Sequence, residues 1–337
     1  MMIPPLTYRT QILVAAFCFA FLSFASLQNS PLLVAQQVPF HQQSVIEFAN
    51  KKTGVRALTQ ADIFVNSMSR FDLTSRLRKV GELTKEDYFE FIQTHVMDWN
   101  EEDIEKLTAA IQSAKEKMAA YKIPFPKKIL LIKTDGKDEG GAAYCRGPAI
   151  ILPRNMVETM KVRPLEGLLT HELFHVLSNQ NPDLRQKLYS IIGFQPCGEI
   201  KLPGSIADRK ITNPDGPTID YYVDLKIKDE TVSVVPILFA RTDYDLKKGG
   251  SFFGYMNFQL LAVEKAAAGW QPKLKDKEPI FFVPGETESY FDNIGRNTGY
   301  IIHPDEVLAD NFVYLVQQRK KLKTPQIVAD MKKLLAK

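Results

Sequence analysis

The chain has 337 residues, of which 45% are hydrophobic and 24% are charged, so it can bury a sizeable core as one large domain or two ordinary ones. Its 43 Lys and Arg residues against 39 Asp and Glu residues give a formal net charge of +4. That charge is too mild for a nucleic-acid-binding surface. We therefore expect no nucleic-acid partner.

Residues 1–35 have the layout of a secretory signal peptide. They contain no acidic residue, one basic residue, Arg9, and an apolar stretch from Ile12 to Leu27. Cleavage is plausible after Ala25 or after Ala35. An uncleaved membrane anchor is the alternative, although the apolar stretch is shorter than the roughly 20 residues that span a bilayer comfortably. We expect a secreted or periplasmic protein with no membrane contact once the signal is removed.

Residues 36–126 are predicted to form a helical N-terminal region, with helical sequence from Ser44 to about Ile123. Asn100 is a good N-cap for a long helix that reaches Tyr121. The three acidic residues that follow Asn100 complement the positive end of the helix dipole. Pro124 and the proline two residues later end this region.

Residues 127–337 are predicted to form an α+β domain. Lys128–Lys133 is a short apolar run with β-branched residues, which is typical of a strand. Ala142–Cys145 and Ala149–Leu152 read as two further short strands, and a helix then continues to about Ser178.

An insertion is predicted at about residues 200–295. Apolar and polar residues alternate from Val223 to Ile227, the pattern of a half-buried strand. A turn then leads into a second strand, Thr231–Ala240, so this pair is predicted to be a hairpin. Two helices follow the insertion, Pro304–Gln317 and Gln326–Ala336.

Residues 171–175 read His-Glu-Leu-Phe-His, an H-E-x-x-H motif. Positions i and i+4 lie one turn apart on the same helix face, so the imidazoles of His171 and His175 can reach one metal ion. The flanking residues are mostly apolar, which indicates a buried helix. Polar groups on such a helix need compensating partners, and a zinc ion would supply one. Glu172 lies where it can take a proton from a water on the metal.

The motif resembles that of the zincin metallopeptidases. The metzincin branch would need Gly and His where this chain has Ser178 and Asn181. The gluzincin branch takes its third zinc ligand from a downstream helix with the pattern E-x-x-x-D, often E-x-x-A-D. This chain has Glu306-Val307-Leu308-Ala309-Asp310. The resemblance therefore implies a Zn²⁺ ion bound by His171, His175 and Glu306.

The Glu306 helix also agrees with the geometry of a metal site. Glu306 and Asp310 lie one turn apart, so one carboxylate can bind zinc while the other accepts a hydrogen bond from a ligating histidine. The resemblance implies that Asp310 does this for His171. The segment between His175 and Glu306 is far longer than in the compact thermolysin-like arrangement. Three other acidic residues therefore remain alternative third ligands: Glu264, Glu286 and Glu288.

The resemblance further implies a zincin-like fold, with helices around a small mixed sheet. Its edge strand would pair antiparallel with the substrate, and either Ala142–Cys145 or Ala149–Leu152 would serve. A His or Tyr would hydrogen-bond the oxyanion, for which Tyr300 and His303 are the candidates. The implied activity is hydrolysis of a peptide or protein substrate, in which Glu172 activates a water on the zinc and returns the proton to the leaving amine.

Two other functions stay open. The first is a zinc-holding binding protein without catalysis, although such a structural site usually has four protein ligands rather than three. The second is a zinc amidase that acts on a non-peptide or cell-wall substrate. Signal removal would leave Cys145 and Cys197. We expect them to be joined in an oxidising compartment, with two separate buried thiols as the alternative.

Overall fold

The computed structural model describes residues 36–336, apart from the side chain of Ser205. The predicted signal peptide lies outside the described residues. The helices are α1 (Lys51–Leu58), α2 (Ile63–Ser67), α3 (Arg70–Leu77), α4 (Lys85–His95), α5 (Glu101–Met118), α6 (Arg154–Thr159), α7 (Val162–Gln180), α8 (Pro182–Ser190), α9 (Gly204–Ala207), α10 (Glu288–Ile294), α11 (Pro304–Val316) and α12 (Pro325–Leu334).

The strands belong to two larger sheets and one small ribbon. They are β1 (Gln37–Pro39), β2 (Val45–Phe48), β3 (Val96–Met97), β4 (Lys128–Thr134), β5 (Tyr144–Arg146), β6 (Ala149–Pro153), β7 (Phe194–Pro196), β8 (Tyr221–Ile227), β9 (Glu230–Ala240), β10 (Met256–Ala266), β11 (Gly269–Pro272), β12 (Leu274–Lys275), β13 (Glu278–Pro279) and β14 (Phe281–Phe282). The α+β class predicted from the sequence is confirmed.

The first sheet has the order β1-β2-β4-β6-β5, with β3 paired to the end of β4. Strands β2, β4 and β6 are parallel, whereas β1 and β5 run antiparallel to their neighbours. Leu131 and Ile150 pack with α5 and α7, while Ile132 and Ile151 pack with the helices α1–α4. Successive side chains of a strand point to opposite faces, so this sheet is buried between two helical layers.

The second sheet is built from strands of the predicted insertion together with β7, which lies just before it. Its order is β11-β10-β9-β8-β7, with β14 also paired to β10, and the pairs are antiparallel. The hairpin predicted for Val223–Ala240 is confirmed as β8 and β9. Helix α7 packs against both α5 and α11, which brings the predicted motif helix beside the predicted Glu306 helix.

The prediction of helical sequence from Ser44 onward is wrong at its start. Val45–Phe48 is strand β2, which lies between β1 and β4, and three of its four residues are buried. Tertiary burial decides such a short apolar segment, because periodicity cannot distinguish a buried strand from a buried helix. The first sheet therefore takes strands from both sides of residue 126. Helix α5 begins after Asn100, whose side chain accepts from the Asp103 N–H as expected, and ends at Met118.

The expected disulfide is absent from the described residues, because Cys145 and Cys197 are both free thiols. Cys145 is buried in β5 and belongs to the cluster around α7, whereas Cys197 packs beside the second sheet. The Sγ atom of each lies near a backbone carbonyl oxygen, 3.2 Å from Glu172 and 3.3 Å from Gly198 respectively. Within residues 36–336, no helix is both long enough and apolar enough to cross a bilayer.

Candidate metal centre

Helices α7 and α11 bring the predicted ligands together. His171 Nε2 lies 3.1 Å from Glu306 Oε2, and His175 Nε2 lies 3.4 Å from the same oxygen. The ligand atoms of the three side chains all lie within 4.8 Å of one another. The i,i+4 spacing on α7 places the two imidazoles one turn apart, edge to face, with ring centroids 4.7 Å apart and an interplanar angle of 77°.

Each histidine is oriented through its other ring nitrogen. His171 Nδ1 lies 3.0 Å from Asp310 Oδ1, and His175 Nδ1 lies 2.6 Å from Asp305 Oδ2. A carboxylate on Nδ1 fixes the ring and leaves Nε2 for a metal. Asp310 was expected from the sequence beside His171, but Asp305 was not. Its only local signal was an acidic residue next to Glu306, which a helix N-terminus explains equally well.

Asp305 is itself held firmly. Its Oδ1 accepts hydrogen bonds from Ser178 Oγ at 2.5 Å and from Tyr189 OH at 2.7 Å. Its side chain is 1% exposed, so both carboxylate oxygens are used inside the protein. The ring of His175 is therefore positioned by α11, α7 and α8 together.

The donor set fits a zinc ion. His175 Nε2 is buried and makes no hydrogen bond within the described residues. It lies 3.4 Å from Glu306 Oε2, within the distance of an ion pair, but the two atoms do not form a hydrogen bond. A buried polar atom without a partner is costly and calls for an explanation. Two imidazole nitrogens and one carboxylate oxygen are the ligand set of catalytic zinc sites of the His₂Glu type. A cation bound among them would satisfy the unpaired nitrogen.

The charges around these residues also favour a cation. Burial acts to raise the pKa of Glu306, but His175 and His171 outweigh it and hold the pKa well below its ordinary range. Burial acts to lower the pKa of His171, yet its contacts with Asp310 and Glu306 raise that pKa to about 10. Carboxylates thus face both imidazoles; without a metal the imidazolium forms balance this negative charge, and a bound cation would take over that role.

Glu172 lies on the side of α7 that faces the edge of the first sheet. Its side chain is buried, and its Oε2 lies 3.4 Å from Cys145 Sγ on β5. Ligand atoms of Cys145, Glu172 and Asp215 lie within 4.8 Å of one another. Burial raises the pKa of Glu172 although both histidines act to lower it.

Two residues of the insertion reach the site and were missed from the sequence. Asn213 Nδ2 donates to Glu306 Oε1 at 2.7 Å, and Asp215 Oδ1 accepts from the backbone N–H of Cys145 at 2.6 Å. The local sequence Asn-Pro-Asp-Gly signals only a turn. Nothing in its composition connects this turn with the histidines, because the contact is made across the fold.

The two candidates for the oxyanion-binding residue have different surroundings. The ring of Tyr300 stacks on His171 at a centroid distance of 6.0 Å and an angle of 19°, and the residue is 42% exposed. His303 instead caps α11, since its Nδ1 accepts from the Asp305 N–H at 3.2 Å. Its ring also lies directly against Gly216.

The alternative third ligands lie outside the cluster. Glu264, Glu286 and Glu288 are all exposed. Glu264 accepts from Gln271, and Glu288 pairs with Arg296. Within residues 36–336, Glu306 is the carboxylate that groups with the two histidines.

Of the two strands considered for the sheet edge, the structure selects the first. β5 forms the edge of the sheet, whereas β6 lies between β4 and β5. Ala149–Leu152 is therefore wrong as an edge strand, because the backbone of β6 is paired on both sides. β5 covers Tyr144–Arg146 and contacts α7.

Comparisons of the chain with protein-family models, with curated proteins and with solved structures find no match. A functional assignment therefore depends on the geometry and the chemistry of this site.

Proposed function

We propose that the chain is an exported zinc-dependent metallopeptidase with a zincin-like catalytic fold of the gluzincin type. The observation that carries this proposal is the convergence of His171, His175 and Glu306, in which the buried Nε2 of His175 has no hydrogen-bond partner among the described residues. Three ligands leave room for a water or a substrate, as catalytic zinc sites require. The antiparallel edge strand β5 beside α7 supports the same assignment. The apolar, acid-free start of the chain supports export.

The protein residues would share the work of hydrolysis. A zinc ion, when bound, would act as a Lewis acid toward a scissile carbonyl and would acidify a water. Glu172 would take the proton from that water and pass it to the leaving amine. Burial raises the pKa of Glu172, which makes its carboxylate a stronger base than an exposed glutamate. Asp305 and Asp310 would keep the two imidazoles in their ligating orientation.

Tyr300 is the better proposal for the group that hydrogen-bonds the oxyanion. Its ring lies over His171, and a tyrosine hydroxyl is protonated at neutral pH and can donate. His303 Nδ1 accepts a hydrogen bond from the Asp305 N–H, and the ring packs against Gly216. We therefore assign His303 mainly to the positioning of α11 and Asp305.

The test of this proposal is metal binding by purified protein. We expect one zinc ion per chain and a large loss of zinc in Glu306→Ala. The loss should exceed the roughly 10–100-fold change that is typical when only a partner of a ligand is removed. Zinc content and competition with a chelator would measure it. Glu264→Ala and Glu286→Ala are matched controls, because both carboxylates are exposed and lie outside the cluster. Retention of zinc by Glu306→Ala together with its loss in a control would refute the ligand set.

A further inference from the structure

A tight turn of the insertion lies inside the candidate site. It comprises Asn213–Gly216, and Asn213 and Gly216 pair with each other in a short antiparallel bridge. Asn213 Oδ1 accepts from the Asp215 N–H at 3.1 Å. Proline and glycine at the second and fourth positions are typical of such a turn. We call these four residues the inner turn.

The inner turn touches both sides of the site. Asp215 Oδ1 accepts a hydrogen bond from the backbone N–H of Cys145 at 2.6 Å, and Asn213 Nδ2 donates one to Glu306 Oε1 at 2.7 Å. Cys145 is the central residue of edge strand β5, so this N–H belongs to the unpaired edge of the sheet. A peptide that adds to a sheet edge binds through such backbone groups. Asp215 therefore takes the hydrogen bond that an added peptide strand would need.

The inner turn also divides the space along β5. On one side, Tyr144, Asp215 and Tyr300 line a small cavity of about 50 Å³. On the other side, Arg146 and Pro214 line a larger cavity of about 480 Å³. The residues before and after Cys145 thus face different cavities, with the inner turn between them. A substrate lying along β5 would have to pass through the position that this turn fills.

Buried contacts hold the start of the inner turn. Thr212, the residue before it, donates to Asp72 from both its N–H and its Oγ1, and its carbonyl oxygen accepts from Arg76. The Arg76 side chain is 0% exposed and also pairs with Asp72 and Glu139. Helix α3 of the N-terminal region therefore holds a segment of the insertion in place.

The end of the inner turn fits closely against His303. A Cβ atom at Gly216 would lie 2.3 Å from Cε1 of that ring, which is far below van der Waals contact. Only glycine allows the chain to pass at this point. The turn is therefore fastened at one end and closely packed at the other.

We propose that the inner turn is an internal plug, which occupies the substrate position along β5 and blocks the binding of a peptide there. This proposal rests on the proposed function, because it identifies β5 as the strand that binds a peptide. It assigns Asp215 as a stand-in for substrate backbone and Asn213 as its attachment to Glu306. The chemical class that the plug replaces is an extended peptide.

Reactivity of the buried Cys145 thiol tests the plug without any dependence on metal or hydrolysis. The full chain, stripped of metal, would be treated with N-ethylmaleimide, and peptide mapping by mass spectrometry would follow modification of Cys145. We expect Asp215→Ala to speed this modification about fivefold or more, since it removes the hydrogen bond that ties the inner turn to β5. Gly216→Ala, which pushes the turn away from His303, should have the same effect. Asp229→Ala is the matched control, because Asp229 is an exposed residue of the same insertion.

A second measurement tests the substrate position itself. Zinc-loaded proteins would be titrated with a tripeptide hydroxamate, and we expect about tenfold tighter binding to Asp215→Ala and Gly216→Ala than to wild type or the control. Amide hydrogen exchange in β4 should stay slow in every variant, which separates movement of the turn from global unfolding.

The outcomes are distinct. If Cys145 stays unreactive in both variants, the plug proposal is wrong. It is also wrong if Asp215→Ala loses zinc, because Asp215 would then be a metal ligand. If instead the proposed function is wrong, the wild-type protein would bind no zinc, but Cys145 would still become reactive in the variants.

Discussion

The proposed chemistry depends on single residues, above all on Glu172 as the base. It lies between the two histidines in sequence, and its buried carboxylate lies beside Cys145 of β5 while both imidazoles are near enough to act on its pKa. A carboxylate in that position could move a proton without serving as a ligand in the proposed zinc site. The substitution that tests this role must keep the shape of the side chain and remove only its basicity.

We expect Glu172→Gln to abolish peptide hydrolysis while zinc stays bound. The amide cannot accept a proton at neutral pH, and general-base catalysis typically contributes about 10²–10⁴-fold. Cleavage of a broad peptide mixture, with zinc content measured on the same samples, would establish the effect. Because the inner turn covers β5, the comparison should be repeated in the Asp215→Ala background. Equal cleavage with Gln and Glu at this position would exclude Glu172 as the base.

Asp305 holds the ring of His175, which is a ligand in the proposed zinc site. We expect Asp305→Ala to weaken zinc binding by roughly 10–100-fold, as is typical for removal of a carboxylate behind a ligating histidine. The change also leaves the hydroxyls of Ser178 and Tyr189 without their acceptor. Chelator competition would measure the affinity, with the exposed Asp292→Ala of α10 as the control. An unchanged affinity would mean that Asp305 serves packing alone.

At the scale of whole elements, buried charges of α3 bind both the insertion, through Thr212, and the loop between β4 and β5. Arg76 pairs with Asp72 on its own helix and with Glu139 in the loop between β4 and β5. Breaking a buried ion pair is costly because it leaves charges without partners inside the protein. The same helix carries a second ion pair, Arg70 with Asp243, whose side chains are 53% and 66% exposed.

Breaking these two pairs on α3 should cost very different amounts of stability. Arg76→Met should destabilise the fold by roughly 3–5 kcal/mol, since it strands two buried carboxylates. Arg70→Ala should cost less than about 1 kcal/mol, because water screens an exposed pair. Urea unfolding followed by circular dichroism would compare the free energies. Similar losses for the two variants would show that the buried network adds no more stability than a surface pair.

At the scale of the whole molecule, strands from the start of the chain complete the sheet that carries the site. β2 pairs in parallel with β4, and β4 pairs in parallel with β6. The edge strand β5 is thus supported by a sheet whose far strands come from residues 37–48. We infer that residues 36–126 help to build the site as well as to clamp the inner turn.

The described residues need no disulfide to hold these parts together. We expect the intact mass of the purified protein to be unchanged by reduction under denaturing conditions, because Cys145 and Cys197 lie in different hydrophobic clusters as free thiols. Mass spectrometry after alkylation with and without reductant would count the thiols. A gain of alkylation at both cysteines only after reduction would show the disulfide that we expected from the predicted signal peptide.

The sequence alone determined those features that depend on neighbours a few residues apart. The spacing of His171 and His175 on α7 follows from one helical turn, as does the pairing of Glu306 with Asp310 on α11. The hairpin of β8 and β9 follows from alternation and a turn.

Only the tertiary structure decided the features that depend on contacts across the fold. Val45–Phe48 became a central strand because of the partners on either side of it. Asp305 and Asp215 entered the site because packing brings the start of α11 and a turn of the insertion next to α7 and β5. Such long-range contacts leave no periodic signal in the local sequence, since the residues that satisfy each buried group are chosen by the path of the whole chain.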